Sequence, residues 1–247
     1  MFALVTRSSR RVGLLIGAVA LVTSIACQAN GRTLESDSSR VGGPPSIPRV
    51  DTSTPRRKIL FAGTSLTAGF GLDADSAYSY LLQRKIDSAG LPFETVNAGV
   101  SGETTAGLLQ RLDWILKGNF DVLVIESGAN DGLRGVEADA IRRNLIEAMR
   151  QVKARRPRAL VLLVQMEALP NYGRAYGTAF HDAYIDVARA AKIDLLPFLL
   201  VGVAGRPELN QGDGIHPNVR GERIVADNIW RGLGPVLRRR AGRPLVR

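Results

Sequence analysis

The chain has 247 residues, of which 45% are hydrophobic and 23% are charged. This composition is typical of a globular protein with one sizeable core, and it excludes a disordered, collagen-like or coiled-coil chain. The single cysteine excludes an internal disulfide and a cysteine-rich zinc site, and the two histidines exclude a three-histidine metal centre. We therefore expect neither a metal nor a cofactor.

The net charge of +10 is concentrated at the two ends of the chain. Residues 1–27 carry three arginines and residues 238–247 carry five, with no acid in either segment, so the residues between them carry a net charge of only +2. We therefore expect no nucleic-acid partner for the folded body. The last ten residues fit a solvated basic tail, with contact to an anionic lipid or polymer as the alternative.

The amino terminus has the pattern of an export signal. Three arginines within the first eleven residues precede an uncharged apolar run over residues 12–25. That run is shorter than the roughly 20 apolar residues that a membrane-spanning helix needs. A basic start, a short apolar run and small residues after it predict a signal peptide over residues 1–27 and export to the bacterial periplasm.

The end of this signal resembles the lipobox of bacterial lipoproteins. The resemblance lies in Ser24-Ile25-Ala26-Cys27, although the lipobox prefers leucine where this chain has Ser24. It implies that Cys27 is lipidated and holds the protein at a membrane. Ordinary cleavage near Ala26 or Ala29 is the alternative.

The composition changes twice after the signal. Residues 28–57 are rich in Ser, Thr, Gly and Pro, which predicts a flexible linker. From residue 58 to residue 237, short apolar runs alternate with longer amphipathic stretches and no repeat is visible, so we predict one domain followed by a basic tail over 238–247. We expect a monomer.

The body is predicted to be an α/β protein. Strands are predicted at 58–62, 93–96, 121–126, 159–164 and 193–196, and helices at 76–89, 104–118, 137–154, 174–191 and about 220–233. Nearly continuous Val, Leu and Ile in three of the strands is typical of strands covered on both faces. The alternation predicts a three-layer α/β/α sandwich with a central parallel sheet of about five strands, whose ligands bind at the carboxyl ends of the strands.

A serine follows the first predicted strand directly. In Gly63-Thr64-Ser65-Leu66 the serine lies on glycine-rich backbone at the predicted ligand edge. The segment is neither the G-x-S-x-G elbow nor a phosphate-binding loop, because Thr67 replaces the last glycine and no lysine precedes the serine. Taken alone, it also fits an ordinary turn.

A histidine near the end of the body has a carboxylate close by. Nucleophilic serine needs an imidazole within hydrogen-bond reach and a carboxylate that fixes the tautomer. Asp213-Gly214-Ile215-His216-Pro217 supplies both on a turn, whereas His181 falls in the middle of a predicted helix and fits a half-buried structural residue.

Two further loops follow the second and third strands. Asn130, in Gly128-Ala129-Asn130-Asp131-Gly132, can direct its amide into the crevice, or it can simply begin a helix. Gly102, in the segment from Asn97 to Thr104, precedes a predicted helix, so its backbone N–H can face an anion.

Together, the four blocks resemble those of the SGNH (GDSL) hydrolases, a family named after its serine, glycine, asparagine and histidine. The likeness covers residues 58–237 and is greatest for the bacterial periplasmic thioesterase, lysophospholipase and arylesterase branch. Residues 130–135, 170–174 and 196–198 resemble that branch as well.

The resemblance implies a flavodoxin-like fold and a role for each block. Ser65 corresponds to the nucleophile, His216 to its base and Asp213 to the carboxylate that orients the base. The backbone N–H groups of Ser65 and Gly102 and the side-chain amide of Asn130 correspond to the oxyanion hole. One position departs from the family, because Thr64 stands where the family's Gly-Asp-Ser-Leu block has aspartate.

The implied activity is hydrolysis of small-molecule acyl esters or thioesters, including lipid, lysophospholipid or aryl esters, through an acyl-enzyme. Leu169, Pro170, Asn171 and Tyr172 resemble the family's acyl-side loop and are the predicted substrate-binding residues. The apolar segment 198–201 offers either more acyl surface or packing under the sheet.

Two alternatives remain at this point. The first is a carbohydrate or peptidoglycan O-acetyl esterase that uses the same residues. The second is a non-catalytic lipid- or glycan-binding lipoprotein, for which Thr64 is the only support. Trp114 and Trp230 fall on predicted helices and are expected to lie in the core.

Overall fold

A five-stranded parallel sheet forms the centre of the fold in the computed structural model, which describes residues 55–242. The strand order is β2-β1-β3-β4-β5, and all four pairings are parallel. The strands are β1 (Arg57–Ala62), β2 (Phe93–Asn97), β3 (Val122–Ile125), β4 (Leu160–Val164) and β5 (Asp194–Leu196). Each one begins and ends within one residue of its predicted bounds, which confirms the predicted parallel sheet.

Two groups of helices pack among themselves. α2 (Tyr78–Ser88) contacts α7 (Val219–Ala241), while α5 (Ala138–Arg155) lies between α3 (Thr105–Lys117) and α6 (Gly173–Ala191). Right-handed crossovers along this strand order place the two groups on opposite faces of the sheet, as a three-layer sandwich requires. Two short helices, α1 (Ser65–Ala68) and α4 (Ala129–Leu133), follow β1 and β3 directly.

The core lies between the sheet and the helix layers. All four residues of β3 are buried, as are Ile141, Leu145, Met149 and Val152 along one side of α5. Their spacing of three or four residues is the predicted helical period, so one stripe of α5 faces the sheet. Within residues 55–242 no helix is long and apolar enough to cross a membrane.

The last helix extends further than its predicted end. α7 continues to Ala241 because Val236 and Leu237 are buried and hold its last turns against the body. Arg238, Arg239 and Arg240, which the sequence assigns to the tail, therefore lie in this helix. The predicted signal peptide, Cys27 and most of the predicted linker lie outside the described residues, as do residues 243–247.

The expected burial of the two tryptophans was wrong for Trp114 and only half right for Trp230. Trp114 is 66% exposed, because Leu112 and Ile115 take the buried side of α3 and the helical period turns residue 114 outward. Trp230 is half-buried, with the Arg238 guanidinium 5.7 Å from its ring centre.

Candidate active site

The four sequence blocks meet at the carboxyl edge of the sheet. Ser65 is the first residue of α1, just after β1, and Asn130 lies in α4, just after β3. Gly102 lies in the loop between β2 and α3, and His216 precedes α7. All four line one cavity of about 600 Å³, so the fold brings these predicted site residues together.

A hydrogen-bonded chain links a hydroxyl, an imidazole and a carboxylate. Ser65 Oγ lies 2.9 Å from His216 Nε2, and His216 Nδ1 lies 2.6 Å from Asp213 Oδ2. The bond to His216 lowers the pKa of Asp213 to about 2, helped by bonds from backbone N–H groups. An ionised carboxylate can only accept, so Nδ1 carries the proton and Nε2 is free to accept from the Ser65 hydroxyl.

The loop that carries the histidine is fixed by its own backbone. Asp213 Oδ1 accepts from the backbone N–H groups of Ile215 and His216, at 2.9 and 3.0 Å. Gly214 has φ +72°, a conformation that residues with a side chain rarely adopt, and this turn brings the carboxylate back towards the ring. The Phe70 ring lies 4.6 Å from the imidazole ring, centre to centre, and packs against it.

A buried carboxylate lies behind the Ser65 loop. Glu126 accepts hydrogen bonds from the Thr64 backbone N–H at 2.8 Å, from the Thr64 hydroxyl at 3.0 Å and from the Thr67 hydroxyl at 2.9 Å. A Cβ at Gly63 would lie 2.0 Å from Thr67 Oγ1 and 2.7 Å from Glu126 Oε2, so only glycine fits there. The departure at Thr64 thus has a structural consequence, because aspartate at this position would place a second carboxylate against Glu126.

Burial raises the pKa of Glu126 to about 7, although the hydrogen bonds from Thr64 and Thr67 oppose the shift. Burial likewise raises the pKa of Glu222 to about 8, and Glu222 accepts from the Tyr78 backbone N–H at 2.7 Å. Both carboxyls therefore hold a proton in the folded protein at pH values where the unfolded chain has released it.

We expect the free energy of unfolding to fall as the pH rises from 5 to 8. Each raised carboxyl binds a proton more tightly when folded, so stability is highest near pH 4.5 and declines by up to about 1.4 kcal/mol per pH unit per proton. In Glu126→Gln the decline between pH 5 and 7 should be smaller. Urea denaturation at several pH values measures it, with the exposed Glu208→Gln as control. Equal pH dependence in wild type and Glu126→Gln would contradict the expectation.

Two backbone donors in the cavity have no hydrogen-bond partner in the part of the chain that the structure describes. Among residues 55–242, neither the Ser65 N–H nor the Gly102 N–H makes a hydrogen bond. Gly102 has φ +80°, which explains the glycine there. Asn130 Nδ2 donates to the Glu103 carbonyl at 2.9 Å, which fixes its amide and leaves its second N–H unbonded.

The rest of the cavity is mostly apolar. Of the predicted substrate-binding residues, Leu169 and Pro170 line it, but Asn171 and Tyr172 do not. The 3₁₀ turn at Pro170–Tyr172 directs Tyr172 elsewhere, where its hydroxyl donates to the Leu133 carbonyl at 3.2 Å. The apolar residues that complete the lining include Phe70, Leu133, Met166, Phe198, Leu200 and Ile215.

Some of these lining residues belong to segments that the sequence singled out, and others do not. Segment 198–201 takes both of its predicted roles, acyl surface and core packing. Phe198 and Leu200 line the cavity, while Leu199 is buried in the core. Phe70 and Met166 carry no motif. His181 lies in α6, where its Nδ1 is 2.7 Å from Glu167 Oε1. No group of residues suited to hold a metal ion occurs within the part of the chain that the structure describes.

Residues 61–224 match the sequence profile of the GDSL-like lipase/acylhydrolase family. The chain belongs to this family, the SGNH hydrolases, and is a carboxylic ester hydrolase. The resemblance drawn from its four sequence blocks is thereby confirmed, and so is the α/β fold.

Three known proteins show how similar this chain is to other members of the family. Esterase TesA of Pseudomonas aeruginosa is 41% identical over 180 residues, which are 72% of this chain and 89% of that protein. Thioesterase 1/protease 1/lysophospholipase L1 of Escherichia coli is 36% identical over 180 residues, 72% of this chain and 84% of that protein. The crystal structure of the psychrotrophic esterase EstA from Pseudoalteromonas sp., inhibited by monoethylphosphonate, has a TM-score of 0.69 at 31% identity and covers 74% of this chain and 99% of its own.

Proposed function

We propose that the protein is a serine esterase or thioesterase that hydrolyses acyl esters through an acyl-enzyme on Ser65. The observation that carries the proposal is the 2.9 Å contact between Ser65 Oγ and His216 Nε2, with Asp213 bonded to the other ring nitrogen. In this role His216 is the general base and Asp213 orients it and stabilises the imidazolium.

The reaction has two steps, and in each step His216 takes up one proton and then gives one proton back. Ser65 Oγ attacks the acyl carbon while His216 Nε2 takes the hydroxyl proton, and the imidazolium then protonates the departing alcohol or thiol. Water next attacks the acyl-enzyme, giving its proton to His216, and the acid leaves as Ser65 regains its hydrogen. Each step passes through a tetrahedral intermediate with a negative oxygen.

The unpartnered donors around Ser65 suit that oxygen. We assign the oxyanion hole to the backbone N–H groups of Ser65 and Gly102 and the side-chain amide of Asn130. Removing one such donor typically lowers kcat by about 10²–10³. Because α4 and the loop before α3 hold these groups without substrate, little reorganisation is needed when the charge develops.

The cavity favours acyl groups longer than acetyl. About 600 Å³ lined by Phe70, Met166, Leu169 and Phe198 is more apolar space than a two-carbon acyl group fills. Each methylene removed from water adds about 0.8 kcal/mol of binding. We therefore expect kcat/KM to rise with chain length over the first few carbons.

A series of p-nitrophenyl esters from acetate to palmitate, with matched acyl thioesters, tests this proposal. We expect a maximum at medium or long chains. Activity on acetate alone would overturn it and favour the O-acetyl esterase of carbohydrate or peptidoglycan. Binding of lipid or glycan without turnover of any ester would favour the non-catalytic lipoprotein instead.

Export and lipidation belong to the same proposal. We assign the mature protein to the bacterial periplasm, anchored through Cys27, on the strength of the signal pattern in residues 1–27. Mass analysis of the mature amino terminus tests it, because lipidated Cys27 must be the first residue. A mature chain that begins after Ala26 or Ala29 without lipid would contradict the anchor.

A further inference from the structure

Cations collect at the edge of the sheet opposite the active site. There the strands begin and the helices of the flanking layers end. Nine of the cations at this edge are here called the basic edge: Lys117, Lys153, Arg155, Arg156, Arg158, Lys192, Arg238, Arg239 and Arg240. Asp113, Asp121 and Asp194 lie along the same edge, as do Asp87 and Glu94, which are paired with Arg56 and Lys58, so positive charge dominates.

Hydrogen bonds hold four residues of this basic edge against neighbouring elements. Arg155 pairs with Asp113 of α3, and Arg156 Nε donates to the Leu116 carbonyl at 2.9 Å. On the other side, Arg240 donates to the Arg158 carbonyl at 2.8 Å. The end of α5 is thereby linked to the end of α3, and the end of α7 to the loop between α5 and β4.

Cations at the ends of helices stabilise the helix dipole, but that role does not account for all of them. Arg156 binds the Leu116 carbonyl in the last turn of α3, as this role requires, whereas Arg240 binds the Arg158 carbonyl in the loop after α5. Within residues 55–242, the side chains of Lys117, Lys153 and Lys192 make no hydrogen bond or ion pair and are exposed. Their charges are available to a partner.

An exposed tryptophan lies beside these charges. Trp114 is 66% exposed, more than any other large apolar side chain in the described residues, and it lies three residues before Lys117 in the last turn of α3. Its neighbour Asp113 is neutralised by Arg155. A solvent-exposed indole among cations is typical of proteins that sit at the headgroup level of a bilayer.

A cleft opens on the same edge between the ends of α5 and α6. It has a volume of about 420 Å³, with apolar residues such as Ile146, Leu160 and Ile193 among its lining and Lys153 and Lys192 at the same opening. This combination suits an amphiphile with an anionic head. Asp194 also lines the cleft, so it is not uniformly positive.

The chain reaches this edge from its amino-terminal segment. β1 begins at Arg57, so residues 1–54 join the body on the side of the basic edge and away from the cavity of Ser65.

We propose that the basic edge, with Trp114, docks on an anionic phospholipid surface and leaves the active site facing away from that surface. The indole favours a bilayer over nucleic acid, because it gains from burial among acyl chains and headgroups. Docking in this orientation makes the active site accessible to substrates that are not lipids of the same leaflet.

Tryptophan quenching in the full-length protein tests the proposal. Trp230→Phe leaves Trp114 as the only tryptophan, and brominated phosphatidylglycerol vesicles quench a tryptophan that contacts the bilayer. We expect strong quenching there, weak quenching in brominated phosphatidylcholine vesicles, and loss of quenching in high salt. The Trp114→Phe protein, which reports on half-buried Trp230, should be quenched less.

Charge reversal identifies the surface. The triple variant Lys117→Glu, Lys153→Glu, Lys192→Glu should shift the docking equilibrium by about 100-fold or more, since each cation at an anionic surface contributes roughly fivefold. A matched control reverses three exposed arginines away from this edge, Arg143→Glu, Arg220→Glu and Arg223→Glu. The control should dock like wild type, and both triples should hydrolyse a soluble ester at the wild-type rate.

Three results would overturn the proposal. They are equal quenching of Trp114 in anionic and zwitterionic vesicles, equal loss of quenching in the two triple variants, and binding of duplex DNA by the three lysines without quenching in vesicles. Failure of ester hydrolysis leaves this test intact, because quenching does not depend on the proposed chemistry at Ser65.

Discussion

Replacing Ser65 with alanine should lower kcat on every acyl ester by about 10⁶, the size of loss found when the nucleophile of a serine hydrolase is removed. The expected size follows from the geometry, because Ser65 Oγ is the only hydrogen-bond partner of His216 Nε2 among the described residues. Ester hydrolysis measured at saturating substrate gives kcat directly.

Ser101→Ala is the matched control for this change. Ser101 lines the same cavity but makes no bond to the histidine, so its loss should alter kcat by less than about tenfold. Both variants should unfold at the wild-type urea concentration. A Ser65→Ala protein that retains a tenth of wild-type kcat would mean that another group attacks the ester.

Asp213→Asn should lower kcat by about 10⁴ while leaving the loop folded. The asparagine oxygen can still accept from the backbone N–H groups of Ile215 and His216. Its NH₂, however, would donate to His216 Nδ1, so that the ring proton moves to Nε2 and the imidazole can no longer accept from Ser65. The imidazolium also loses the charge that stabilises it.

The pH dependence of kcat in Asp213→Asn distinguishes a catalytic role of this carboxylate from a merely structural one. The pKa of Asp213 is lowered to about 2, so the carboxylate stays ionised above pH 4 and the loss in the variant should persist up to pH 9. Asp182→Asn, next to the second histidine and exposed, is the control and should keep wild-type kcat. A fall in kcat of less than tenfold for Asp213→Asn would contradict the assigned role of the carboxylate.

The sequence predicted most of what depends on local patterns. Strands rich in Val, Leu and Ile, such as β3, and the periodic apolar stripe of α5 gave bounds within about two residues. The four site blocks could also be predicted, since each lies in a loop that follows a strand or precedes a helix. The parallel topology alone brings those loops to one edge of the sheet.

What the sequence did not predict depends on contacts between distant segments. Glu126 reads as the polar end of a strand, and only the fold places it behind the Ser65 loop, against Thr64 and Thr67. The direction of Tyr172 depends on the Leu133 carbonyl, nearly forty residues earlier. The true end of α7 depends on the burial of Val236 and Leu237 against the body.

The distribution of charge likewise could be predicted only in part from the sequence. Counting residues along the chain put the excess positive charge in the two ends, but Arg238, Arg239 and Arg240 of the predicted tail lie in α7 and add their charge to the body. A sum over the body also hides the distribution of its charge, because parallel topology brings the ends of α3, α5, α6 and α7 to one edge and their cations with them. The prediction that Trp114 lies in the core rested on its being a large apolar residue in a helix. That does not say which side of the helix it occupies.

The central claim is that the Ser65 hydroxyl, activated by His216, attacks an electrophile in the cavity, and labelling with a fluorophosphonate tests it most directly. Attack on phosphorus forms a Ser65–O–P bond and releases fluoride, leaving a stable adduct. Peptide mass spectrometry should find one adduct, on Ser65, with labelling slowed in His216→Ala and absent in Ser65→Ala. An unlabelled wild-type protein, or an adduct at any other residue, would contradict the account.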